Sequence, residues 1–246
     1  MKEQTKVIIV IPAFNVAHVL AKTVSGLPTK SYDEIIVVDD GSTDGTAEVG
    51  KKLGLTVVGH PRNSGYGRAQ KTGYKEALKR GAGAVVLVHG DNQYDPSLVP
   101  LFAGKIIEEG YDLVTGTRMV LGDALAQGMP FWKFFPNRFL TGLENFIFGT
   151  QLTDYHNGFR AYSSRFLKQA PLELLSDRFD FDTDIIIQCS LRKYRMAEIP
   201  HPTRYTQENS QMSFLKGIVC GVSILRTIAF YCLHKAGIYQ QRVFSL

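Results

Sequence analysis

Three cysteines in 246 residues, at positions 189, 220 and 232, are too few and too scattered for a disulfide frame or a zinc site. They stand in apolar surroundings and read as buried packing residues of a protein kept in a reducing compartment. There is no lysine-rich tract and no paired Cys/His spacing, which removes the usual nucleic-acid modules, and no nucleic-acid partner is expected. Nothing repeats at a fixed period and no stretch has low complexity, so solenoids and flexible linkers are excluded. Met1 to Lys6 reads as a polar lead into a strand, without the apolar core of a signal peptide. Uninterrupted apolar runs are missing too. The longest, Gly217 to Leu233, falls short of the roughly 20 residues that spanning requires and carries Arg226 in its middle. The tail from Phe214 to Lys235 is therefore expected to lie on a bilayer, or to pack on its own domain or a partner.

The chain does hold enough apolar residues, 44%, to bury the core of one large domain. A net charge of +5 suits anionic small substrates or an anionic membrane surface. β-Branched runs at Val7–Ile11, Ile35–Val38, Thr56–Val58, Val85–Val88 and Leu113–Val114 read as strands, the first closed by Pro12. Helical spacing fills the intervals Val16–Leu27, Thr43–Leu53, Gly67–Lys79 and Leu98–Glu109. Such alternation predicts an α/β fold: a single Rossmann-like, mostly parallel sheet with helices on both faces. Past Gly116 the pattern changes, with an aromatic and basic segment at Met129–Gly149, a buried helix at Asp182–Arg192 and a short strand at Met196–Ile199. The expected division is a main domain over 1–212 and an apolar helical tail over 213–246.

Chemistry concentrates where the strands end. His89-Gly90-Asp91-Asn92-Gln93 follows the fourth strand, and Asp95-Pro96 starts the next element. Open α/β sheets keep their ligands at that edge. Asp91 and Gln93 offer hard oxygens suited to Mg²⁺ or Mn²⁺ carrying a diphosphate. Asp39-Asp40-Gly41-Ser42-Thr43-Asp44 follows the second strand: Gly41 supplies a turn, and Ser42 or Thr43 can cap the next helix. Capping leaves the paired acids unexplained, and Asp39 is placed to accept from a nucleobase or a ribose. The glycine-spaced loop Asn63 to Gly73, which includes Lys71, either enters a helix plainly or offers its amides to an anion.

Together with Ile11-Pro12-Ala13-Phe14-Asn15, Val114-Thr115-Gly116-Thr117-Arg118 and Asp154 to Tyr162, these motifs resemble the family 2 glycosyltransferases with the GT-A fold. The likeness is to the branch of dolichol-phosphate mannose synthase and the polyprenyl-phosphate glycosyltransferases. The resemblance implies an inverting, metal-dependent transfer of sugar from a nucleotide-diphosphate sugar to an acceptor, most simply a polyprenyl phosphate. A saccharide hydroxyl in cell-surface polysaccharide synthesis, or a silent nucleotide-sugar binder, are the alternatives. Pro12, Ala13, Phe14 and Asp39 would line the nucleotide site, with Asn15, Asp40, Lys71, Gly90 and Asp91 as further donor contacts. Asp91 would be the second acid of Asp-x-Asp, with Gln93 as a further ligand of Mg²⁺ or Mn²⁺. His89 stands where the first acid is expected, as a ligand or a bystander. Asp154 is the candidate base and Asp184 the runner-up. Arg118, Arg138, Arg160 and Arg204 are the candidates for the acceptor phosphate. The expected setting is the cytoplasmic face of a membrane, with a homodimer or a small membrane partner compatible with the apolar tail.

Overall fold

The computed structural model describes residues 5–120, 124–202 and 214–245. Short β-branched runs build β1 (Val7–Ala13), β2 (Glu34–Asp39), β3 (Thr56–Gly59) and β4 (Ala84–Leu87). With β5 (Leu113–Thr117), β6 (Arg160–Ser163) and β7 (Met196–Pro200) they form one seven-stranded sheet, ordered β3-β2-β1-β4-β6-β5-β7. Neighbours pair in parallel except at β6, which runs antiparallel to both β4 and β5.

Helices α1 (Ala17–Ser25), α2 (Thr46–Lys52), α3 (Tyr66–Lys79) and α4 (Val99–Ile107) connect the first five strands. Later come α5 (Phe131–Phe148), α6 (Ser164–Gln169), α7 (Phe181–Leu191) and α8 (Phe214–Lys235). Ile8 and Val10 of β1 pack with Tyr74 of α3 and Ile185 of α7 on one face. Ile9 and Ile11 pack with Leu20 of α1 and Phe102 of α4 on the other. Burial on both faces is why these strands read as continuous apolar runs.

Several local expectations are corrected. β1 does not stop at Pro12, which pairs in register with Val38. The β4 ladder ends with Val10 opposite Leu87, so no neighbour on that side needs the missing proline N–H. β6 was not anticipated, because four residues with a buried arginine carry no apolar run. Neither Ser42 nor Thr43 caps α2: Ser42 Oγ accepts from Asn15 N, and Asp44 accepts from Thr46 N and Ala17 N. Cys189 is buried as expected, but Cys220 is half-buried and Cys232 exposed.

α8 carries Ile224, Ile228 and Tyr231 into a third apolar cluster with Leu140 and Phe148 of α5 and Ile187 of α7. Among the described residues it is also the one helix long and apolar enough to cross a membrane. One narrow stripe is docked while most of its other apolar side chains are exposed.

Candidate active site

The carboxyl ends of β1, β2, β4 and β5 share one edge of the sheet, and antiparallel β6 brings its amino end there too. A cleft of about 960 Å³ opens over that edge. Pro12, Ala13, Phe14, Asp40, Asn63 and Gly65 line its β1–β2 side, and His89, Gly90, Asp91 and Gln93 its centre. Arg118 and His156 come from the β5–β6 side. Trp132, Lys133 and Phe139 of α5, with Phe214, Leu215 and Ile218 of α8, close the far wall. One end is polar and the other apolar.

Asp40 shapes the polar end. Its Oδ1 meets His60 Nδ1 at 2.6 Å and accepts from Ser64 N, while Oδ2 accepts from Gly65 N. The acid therefore clamps the glycine loop against the end of β2. Gly41 beside it has φ +74°, and a side chain there would collide with the Arg62 backbone. Asp39 is buried and accepts from Ser42 N at 3.2 Å. Asn15, itself at φ 54°, accepts from Thr43 N and so ties the end of β1 to the same turn. Neither Asp39 nor Asn15 is among the residues that line the cleft; both brace the Ser42–Thr43 turn beside it.

At the centre, Asp91 is a half-buried carboxylate whose Oδ1 accepts from Gln93 N at 3.1 Å. Burial pushes its carboxyl up to about 6. A cation would relieve that cost, and one carboxylate plus a side-chain amide suits a Mg²⁺-type ion that takes its other oxygens from substrate phosphates. The donor set fits. No cluster of three or more His, Cys, Asp or Glu side chains that could hold a metal ion stands among the described residues. His89 makes a different bond: its Nε2 lies 2.8 Å from Tyr66 Oη, which also donates to Asp182 at 3.3 Å. Burial, reinforced by Arg160 and Arg118, lowers its pKa to about 3, so the ring is neutral. Gly158 sits against this ring, where a Cβ would strike it.

The remaining expected residues lie off the cleft or are already committed. Asp154 is fully buried and forked by Arg118, with Oδ2 2.6 Å from Nε and Oδ1 2.8 Å from Nη2. Burial alone would raise its carboxyl, but the Arg118 charge and the bonds from Arg118 and Asn137 hold it well below the usual range. A carboxylate so tightly engaged is a poor base; it orients Arg118. Asp184 lies off the cleft, accepting from Ser176 N, with burial pushing its carboxyl up to about 7. Arg160 is fully buried, donating to the carbonyls of Asn157, Tyr155 and Asp182, and so holds the 154–158 loop instead of a ligand. Lys71 is buried against Leu175 O and Asp177. Arg138 is exposed on α5 and does not line the cleft, while Arg204 lies outside the described residues.

Sequence reasoning missed Tyr66, Asp180, Asp182, Lys133 and His156, which all line the cleft. Tyr66 belongs to the glycine-spaced segment 63–73, and Asp182 and Asp180 stand two and four residues before Asp184. Lys133 lies in the aromatic and basic segment and His156 in the Asp154–Tyr162 motif, but only the packing of α5 and of the loop before β6 shows that these two members reach the cleft.

Residues 8–170 match the model of "Glycosyl transferase family 2". The chain is 33% identical to an uncharacterised protein of Methanocaldococcus jannaschii, covering 89% of each. It is 29% identical to a UDP-N-acetylglucosamine–dolichyl-phosphate N-acetylglucosaminyltransferase of Methanococcus voltae, over 81% of this chain and 86% of the relative. Among solved structures, glucosyl-3-phosphoglycerate synthase of Mycobacterium tuberculosis, in complex with Mn²⁺, UDP and its product, superposes with a TM-score of 0.72. That match covers 97% of this chain and 82% of the other at 19% identity, a likeness of fold.

Proposed function

The chain belongs to glycosyl transferase family 2 and is a glycosyltransferase with the GT-A fold, and from this we propose that it moves a sugar from a nucleotide-diphosphate donor to a polyprenyl-type lipid phosphate. The observation that carries the acceptor is the two-ended cleft, polar over β1, β2 and β4 and apolar between α5 and α8. A sugar acceptor gives no reason for an apolar end; an isoprenoid chain does.

In this reading the nucleoside sits against Pro12–Phe14 and the Asp40-clamped loop, and the diphosphate reaches Asp91 and Gln93. Those two residues would hold a divalent ion, which supplies charge stabilisation to the leaving diphosphate. Arg118, fixed by Asp154, presents a guanidinium to phosphoryl oxygens. The acceptor oxygen attacks the anomeric carbon from the opposite face, inverting its configuration. A phosphate acceptor is already anionic and needs no base. That matches the cleft's acids: Asp40, Asp180 and Asp182 all accept from protein donors, leaving Asp91 the least committed. The M. voltae relative, named for transfer to dolichyl phosphate, also supports this acceptor.

The same α5–α8 face supports peripheral seating on the cytoplasmic side of a membrane, where a lipid phosphate resides. The test is an assay of the full-length protein with labelled nucleotide sugars, Mn²⁺ and a membrane extract. Label passing into chloroform is the expected result; label confined to water-soluble saccharide would overturn the lipid acceptor.

A further inference from the structure

Glu144 is fully buried on the inner face of α5, where a carboxylate is costly unless both oxygens are met. Thr183 Oγ1 donates to Oε1 at 2.9 Å. Oε2 accepts no well-aligned hydrogen bond and instead faces His156 Nε2 at 3.3 Å, a nitrogen that likewise makes no hydrogen bond. The two side chains face each other between α5 and the loop that precedes β6. The donor site proposed for this cleft uses neither.

His156 is not sealed behind this contact. Its side chain keeps 20% of its surface and lines the cleft. Its carbonyl accepts from Arg118 Nη2 at 3.1 Å, which sets the residue beside that guanidinium. Lys133, one helix with Glu144, lines the same cleft; burial and the nearby Arg118 charge lower its pKa. The sheet order fixes where these groups lie. The nucleotide wall is at β1–β2, Asp91 follows β4, and the Arg118–His156 corner lies beyond it at β6–β5, toward the apolar wall.

We infer that His156, with Glu144 as its positioning residue, contacts the acceptor's phosphate and completes with Arg118 and Lys133 a subsite for a phosphomonoester. The inference rests on the lipid-phosphate reading and adds the pair that recognises the headgroup. Glu144 engages Nε2, which leaves Nδ1 as the ring nitrogen for a ligand. An imidazole and a guanidinium at one corner, with the Lys133 ammonium on the same cleft's lining, suit an anion with several oxygens better than a neutral hydroxyl.

The test is calorimetric titration of the full-length protein, in detergent at neutral pH, with a short isoprenyl monophosphate, its parent isoprenol and inorganic phosphate. A nucleoside diphosphate with Mn²⁺ serves as the control. His156→Gln should weaken the isoprenyl monophosphate about tenfold or more, as expected for loss of a charge-assisted hydrogen bond. Isoprenol and nucleotide affinities should not change. Glu144→Gln should act in the same direction, and the double variant should bind no more weakly than His156→Gln alone, because the two act as one unit. An equal loss with inorganic phosphate supports recognition of the phosphate itself; a loss confined to the ester supports recognition in its lipid context. Affinity for the isoprenyl monophosphate within twofold of wild type in His156→Gln overturns the inference, as does an equal fall for all probes. If the wild-type protein binds nucleotide but no isoprenyl monophosphate, the lipid-phosphate reading falls and takes this inference with it.

Discussion

Asp91, Asp154 and Asp184 are the same side chain in three environments, and the environment decides what each can do. Asp91 has one backbone partner and a carboxyl raised to about 6 by burial, so it is available to a cation. Asp91→Asn should lower turnover by on the order of 10²–10³-fold and remove the Mn²⁺ dependence of donor binding, read by steady-state rates and calorimetry. Asp154 is consumed by Arg118, and its lowered pKa makes it a stabilising charge at every pH above the range where an unfolded carboxylate titrates. Breaking such a buried pair costs about 3–5 kcal/mol. Asp154→Asn should accordingly show a lower denaturation midpoint at neutral pH, with the deficit shrinking as wild type is acidified. Asp184 is the opposite case. Its carboxyl is raised from the model-peptide value to about 7, so the folded state holds a proton that the unfolded state has lost, and stability falls as pH climbs between roughly 4 and 7. Asp184→Asn should be more stable than wild type at pH 8 and indistinguishable from it at pH 4, measured by denaturant unfolding at both values.

α5 and α8 are the elements whose exposed faces the domain does not need for its own core. On α5 the buried positions Asn137, Leu140, Thr141, Glu144 and Phe148 recur at helical spacing, and the opposite side presents Phe131, Phe135, Phe139 and Phe146 to solvent. On α8 the buried stripe is Ile224, Ile228 and Tyr231, while Leu215, Val219 and Val222 are exposed. Aromatic rings beside basic side chains suit the headgroup layer of a bilayer. Replacing Phe131, Phe135 and Phe139 together with serine should abolish co-sedimentation with vesicles and leave nucleotide binding intact. Retained sedimentation would show that this face serves some other contact.

At the scale of the whole molecule, charge is unevenly placed. Residues 131–148 and 214–246 hold six lysines and arginines and a single glutamate, so these two stretches carry the entire net charge of +5. Each basic residue near an anionic surface contributes about 1 kcal/mol and is screened by salt. Vesicles rich in anionic lipid should therefore bind the protein more tightly than neutral ones, and salt should erase most of the difference. The apolar strand runs and the acids at their ends were legible from sequence because burial on both sheet faces demands β-branched residues and because the ligand edge demands polar ends. Pro12, Phe14, Asp40 and Asp91 could be assigned to that edge for the same reason. Local pattern carries no record of what crosses the sheet. Only the packed structure shows β6 entering antiparallel between β4 and β5, which turns Arg160 into a loop anchor and brings His156 to the cleft. Only there does Asp154 find Arg118 and Asp184 turn away. Arg118 meets Asp154 from 36 residues away and Arg160 meets the Asp182 carbonyl from 22, and a charge or a proton affinity is set by what lies within a few ångströms in space.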